Sequence, residues 1–195
     1  KKKVIALERF VYADNSATTA VSQSVLEAML PYYREHYGNP SSLYSVGRDA
    51  KKAVETARED IARCFNAEPG EIFFTSGGTE ADNWAVFGTA QRLGKRGRHI
   101  VSTAVEHHAV LHPLQRLESQ GFEVTYLRPD EGGWVSPEAL QAALRPDTIL
   151  VSVMMVNNES GAVMPIGRMI RATRRLSPNA LFHTDAVQGL GKVPF

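Results

Sequence analysis

Short apolar runs alternate with helix-length segments along most of this chain, and that alternation constrains the fold more than any other feature. The runs are 72–75 (IFFT), His99–Thr103, 122–127, 148–155, and the one that opens 180–189 (ALFHTDAVQG). Helical spacing or helix start signals fill the stretches between them. Strands connected through helices lie parallel, because a tight turn joins only antiparallel neighbours. The expectation is an α/β chain: a largely parallel sheet with helices packed on its faces.

Val25, Leu26, Met29, Leu30 and Tyr33 mark one helix face, with Gly38 ending the run and Asn39-Pro40-Ser41-Ser42 forming a turn cluster. A second helix is expected over 49–65, with Ala50, Ala53, Val54, Ala57, Ile61 and Phe65 on one side. Cys64 lies beside that face and reads as a buried structural thiol, since no activating base is near it in sequence. Glu68-Pro69-Gly70 is a turn, and 72–75 reads as a buried strand. A helix follows over 80–89, and another runs from the Glu106-His107-His108 corner to about 119. A turn is expected at 130–133. Ser136 is an N-cap with Pro137 at the first helical position, and Pro146 closes that helix. A further helix covers 165–176, and Ser177-Pro178-Asn179 breaks it before the last strand.

Composition narrows the function classes. With 195 residues the chain can bury a core and form one domain, or one domain plus part of another. A net charge of +1 gives no reason to expect nucleic acid, and Lys1–Lys3, the only basic run, reads as a solvated terminus. No apolar stretch reaches the roughly 18–20 residues of a membrane span. The single cysteine excludes an internal disulfide framework and fits a reducing compartment, so a cytoplasmic location is expected.

The chemistry gathers where the strands end. Phe74-Thr75 runs into Ser76-Gly77-Gly78-Thr79 and then a helix. A helix N-terminus offers unpaired N–H groups and a dipole that favours an anion, and glycine admits a phosphate close to the backbone. The Ser76 and Thr79 hydroxyls are further donors; a capped strand-to-helix turn is the plainer alternative. His107, Asn158, Asp185 and Gln188 follow later strands. On one edge of a parallel sheet these residues face one crevice. They supply an anion cradle, a flat ring, amides and a carboxylate, the set that a phosphorylated aromatic cofactor needs. Pyridoxal phosphate fits it best. Asp185 would pair with the pyridine nitrogen, a contact of roughly 4 kcal/mol before desolvation at about 4 Å and an effective dielectric near 20. His107 would stack on the ring and move a proton, while Asn158 and Gln188 would bond the phenolic oxygen. Asp185 as a strand-end cap stays open. His183 reads as packed rather than ligating. A metal site using His108, His112, His183 and Asp185 is the competing reading, without an HExxH pattern to support it.

Several motifs, taken together and in order, make the chain resemble a known family. They are DNSATT (14–19), GNPSS (38–42), FTSGGTEADN (74–83), EHHAV (106–110), VNNESG (156–161) and HTDAVQGLGK (183–192). In this order they resemble the class V aminotransferase group of fold-type I pyridoxal-phosphate enzymes. Within it the chain is most similar to the NifS/IscS-type cysteine desulfurases. The resemblance implies a PLP-transferase large domain over 19–195, incomplete, with 1–18 an N-terminal segment associated with the small domain. It implies cofactor contacts at Gly78, Thr79, His107, Asn158, Asp185 and Gln188, with His107 also catalytic. It implies conversion of L-cysteine to L-alanine with sulfur left as an enzyme persulfide. A sulfur-acceptor protein, a homodimer and a link to iron–sulfur cluster assembly go with that reading. Another class V activity, a selenocysteine lyase or an aminotransferase, and a non-catalytic half of a split enzyme are the alternatives. Tyr44 and Met155 stand where many or some relatives have histidine. The family's Schiff-base lysine, persulfide cysteine and substrate-carboxylate arginine match no position in this sequence. They are expected beyond Phe195, so this stretch alone is expected to be inactive.

Overall fold

The structure, a computed structural model, describes residues 11–194. Lys1–Lys3 and the first part of the expected N-terminal segment lie outside the described residues. The chain divides into two compact units, Lys1–Phe74 and Thr75–Phe195.

In the first unit, helix α1 (Gln23–Arg34) begins where Ser22 accepts a hydrogen bond from the Val25 N–H. None of its residues is buried. Helix α2 (Ser45–Phe65) starts a turn earlier than residue 49 and stops at Asn66, whose left-handed backbone (φ 51°) returns its N–H to the Ala62 and Arg63 carbonyls. Its buried positions are Gly47, Ala50 and Ala62. Cys64 is exposed, which corrects the expected buried thiol. Periodicity identifies a helix face but not its depth, and in the last turn of α2 the cover does not reach Cys64.

Residues 72–75 also depart from expectation. Ile72 is extended (φ −98°, ψ 125°), yet the segment pairs with no strand among the described residues, and Phe73 and Phe74 are 64% and 50% exposed. A strand is made by ladder hydrogen bonds to a neighbour, and apolar composition does not supply the neighbour. Arg58 engages the segment instead: its guanidinium donates to the Ile72 carbonyl and lies 4.8 Å over the Phe74 ring.

The second unit holds the sheet. Helix α3 (Gly78–Leu93) leads to β1 (His99–Thr103), α4 (His108–Glu118), β2 (Glu123–Leu127) and α5 (Pro137–Ala143). Then come β3 (Thr148–Ser152), α6 (Ile166–Leu176) and β4 (Leu181–His183). The four strands lie in the order β2-β1-β3-β4, and every pairing is parallel. Alternation along the strands feeds two separate cores. Ile100 and Leu150 face Val86, Ala90, Val110 and Leu114 of α3 and α4; Val101 and Val151 face Leu140 and Met169 of α5 and α6. At the amino edge the buried His99 ring spans both neighbours, 2.7 Å from Thr148 Oγ1 and 2.9 Å from Thr125 Oγ1. Ser136 caps α5 by accepting from the Ala139 N–H, as its sequence predicts, although the helix ends at Ala143, before Pro146.

The order of the strands locates the crevice. β1 passes the chain to β2 on one side; the chain crosses back over β1 to β3, which passes it to β4 on the other. That reversal is a topological switch point, and open α/β sheets bind ligands beyond the carboxyl ends of the strands there.

Candidate functional site

Three corners of the second unit each carry residues that the motifs single out. The first is the start of α3. Gly77 is extended and makes no side-chain cap, so the first turn begins with backbone N–H groups and small residues. A Cβ on Gly78 would lie 3.0 Å from Val187 Cγ2, so the glycine lets this turn close against the segment after β4. The Ser76 hydroxyl, expected as a donor to an anion, is already used. Both its Oγ and its N–H donate to Glu80 Oε2, at 2.6 and 2.7 Å. These bonds hold the Glu80 carboxyl below its usual range. Asn83 braces the helix start against α4, donating to the Thr79 and Ala109 carbonyls at 2.8 and 3.1 Å.

The second corner follows β1. His107 is the exposed N-cap of α4, and its Nδ1 accepts from the Ala109 N–H at 3.1 Å. In the neutral ring that bond puts the proton on Nε2, the outward nitrogen. His108 is exposed, with its ring 5.0 Å from that of His112. Among the described residues no group of three or more His, Cys, Asp or Glu side chains gathers as a metal site. Glu106, just ahead of His107, is buried and ties the strand ends together. Its Oε1 accepts from Thr103 Oγ1 at 2.6 Å and from the Met154 N–H at 2.9 Å.

The third corner joins the continuations of β3 and β4. The Met155 N–H donates to the Asp185 carbonyl at 2.8 Å, extending the pairing past the strands proper. Asp185 is 8% exposed, and its Oδ1 accepts from the Val187 N–H at 2.9 Å. It therefore caps its own turn as well as presenting a carboxylate. Gly189 packs beside it, since a Cβ there would fall 2.7 Å from Met155 Cγ and 3.1 Å from its Cβ. Gln188 is half-buried, and its Oε1 accepts from Lys192 Nζ at 2.9 Å. His183 is packed: Ser152 Oγ lies 2.9 Å from its Nδ1 and Asp82 Oδ1 3.4 Å from its Nε2.

Asn158 is half-buried in the turn after β3. Its neighbour Asn157 builds that turn. Asn157 Nδ2 donates to the Val105 carbonyl at 2.9 Å, and its Oδ1 accepts from the Glu159 and Ser160 N–H groups at 3.0 and 2.7 Å. The two asparagines thus divide the work: Asn157 fixes the turn to the His107 corner and Asn158 is left at its surface. Glu106 and Asn157 are the residues that the strand-end reading passed over. The signal for Asn157 was the N-x-x-S spacing to Ser160, an Asx-turn pattern; Glu106 had no local signal beyond its place beside His107.

The residues present suit a phosphorylated, cationic ring. A helix N-terminus without a side-chain cap meets, through Gly78 and Val187, the segment that carries the buried Asp185. Comparison with known proteins points the same way. The family model for Aminotransferase class-V matches residues 11–195, and the chain belongs to that family. It is 52% identical over 184 residues to a cysteine desulfurase IscS of Methanosarcina thermophila, across 94% of this chain and 45% of that protein. A putative cysteine desulfurase IscS 1 of Bacillus subtilis is 49% identical across 94% of this chain and 48% of its own length. Among solved structures, a NifS-like protein superposes with a TM-score of 0.90 at 43% identity, over 93% of this chain and 50% of that one. DndA from Streptomyces lividans does so at 0.82 and 44%, over 94% and 51%. The chain spans about half the length of the curated relatives it matches.

Proposed function

We propose that the full-length protein carrying this chain is a pyridoxal-phosphate-dependent cysteine desulfurase, taking L-cysteine to L-alanine and passing the sulfur on as an enzyme persulfide. The observation that carries this reading is Asp185. It is a buried acid at the end of β4, held beside the Gly78 turn, in a chain about half identical to cysteine desulfurases over nearly its whole length. When bound, the cofactor supplies an electron sink for the substrate carbon.

The chain's own residues prepare for it. Gly78 and Thr79 would receive the phosphate on the N–H groups of α3. Asp185 would hold the ring nitrogen's proton in place. His107, with its Nε2–H outward, would lie against the ring and exchange a proton with the substrate. Asn158 and Gln188 would donate to the phenolic oxygen. On the same reading residues 19–195 are the first part of the large domain, with 1–18 belonging to the small one. The full-length protein would be a cytoplasmic homodimer that delivers sulfur to an acceptor protein, with iron–sulfur cluster assembly as the destination. No helix among the described residues is long and apolar enough to cross a membrane.

The test is the full-length protein with added pyridoxal 5′-phosphate. Bound-cofactor absorbance, with alanine and sulfide released from L-cysteine under reducing conditions, is the expected result. Cofactor binding without alanine release from cysteine would move the assignment to another class V activity, and L-selenocysteine is the first substrate to try in that case.

A further inference from the structure

A buried carboxyl at the ends of β1 and β3 takes no part in holding the cofactor. Glu106 is 5% exposed. Its Oε1 accepts from the Thr103 hydroxyl of β1 and the Met154 N–H beyond β3, while its Oε2 is buried with no hydrogen-bond partner. His183 and Asp185, from β4 and its continuation, are the charged and titratable groups that act on it. His183 is itself set against Asp82 of α3. His107 follows Glu106 directly in the chain at the start of α4.

An ionised Glu106 would leave a buried charged oxygen without a donor, which is the costly way to bury a carboxyl. A second anion near Asp185 adds like-charge repulsion. The neutral acid keeps its Oε1 contacts and removes the charge, leaving one unpaired hydroxyl, the smaller cost. Asp185 differs, because neither of its oxygens is both buried and without a partner, and the Val187 N–H serves Oδ1.

We propose that Glu106 is a positioning residue that stands as a neutral acid, holding the turn that presents His107 against the ends of β1 and β3 and leaving Asp185 as the carboxylate that meets a ring cation. Burial acts in the same sense, pushing the Glu106 carboxyl up to about 7. The part played by Asp185 rests on the cofactor reading above; the proton on Glu106 does not.

Two measurements on the full-length protein test it. Infrared difference spectra of the cofactor-free protein against Glu106→Gln, below neutral pH, are expected to show the carbonyl stretch of a buried carboxylic acid. That band should fade as pH rises through about 7. A carboxylate band in its place would overturn the neutral acid. Titration with pyridoxal 5′-phosphate then compares variants. Glu106→Ala is expected to lose affinity roughly tenfold, the cost of stranding buried partners. Glu106→Gln, which keeps a neutral acceptor in the same place, should recover most of that loss. Equal losses in the two variants would overturn the positioning role. Should the wild-type protein fail to bind pyridoxal 5′-phosphate, the cofactor reading falls, while the infrared band still decides the state of Glu106.

Discussion

The corner after β1 and the corner after β4 each bury a carboxyl at the same sheet edge, and they solve the problem differently. Asp185 stays in its own turn, where the Val187 N–H donates to Oδ1. Glu106 reaches outward to a hydroxyl on β1 and an amide beyond β3, and leaves Oε2 without a partner. Donors aimed at a carboxylate favour its charge, whereas a buried oxygen left without a donor favours the proton. Position at a strand end therefore does not fix an acid's charge. The donors around each oxygen decide that.

The largest effect that sharpens this contrast is expected at Asp185. Asp185→Asn in the full-length protein should weaken pyridoxal 5′-phosphate binding roughly hundredfold, on the order of 3 kcal/mol for a lost charge-assisted contact. Equilibrium titration by absorbance reads it, and wild-type affinity in the variant would break the comparison. Glu106 should announce itself through stability rather than affinity alone. The folded chain holds its proton up to about 7, against 4.5 when unfolded, so stability falls as pH rises across that window. The fall is on the order of 3 kcal/mol, and Glu106→Gln should remove it from urea unfolding curves. His99 works in the opposite direction at the other sheet edge. Burial lowers its pKa below 6.5, so its contribution is present above that value and lost as pH falls.

The two asparagines predict smaller effects. Asn157→Ala strands the Glu159 and Ser160 N–H groups and the Val105 carbonyl, and should cost about 2 kcal/mol of stability by thermal unfolding. Asn158→Ala should change stability by less than about 0.5 kcal/mol. It should weaken cofactor binding about fivefold, the value of one neutral hydrogen bond. If the two variants exchanged these signatures, the division of labour between brace and ligand would be reversed.

Much of the sheet unit was legible in the residues alone. The runs at β1 to β4, the Ser136–Pro137 helix start and the break at 177–179 are local signals, set by side-chain period, capping and proline geometry. Asp185 at the tip of the last strand was legible for the same reason. The failures share one cause as well. The apolar run at 72–75 has no ladder partner among the described residues, and Cys64 on an apolar-looking helix is exposed, because burial depends on what lies opposite. Ser76 was expected to donate to an anion, but Glu80 one turn on takes its hydroxyl.

The sequence by itself determined the family, the alternation of strands and helices, and which polar residues follow each strand, since all of these are written in local order and spacing. The tertiary structure alone decided that the chain reverses direction across the sheet between β1 and β3. It also decided that Asn157 reaches the Val105 carbonyl, and that Glu106 ties β1 to the continuation of β3 with one oxygen unpaired. Those outcomes depend on groups brought together from residues 103, 106, 154 and 185, and no local pattern encodes how many donors such distant partners leave for a single carboxyl oxygen.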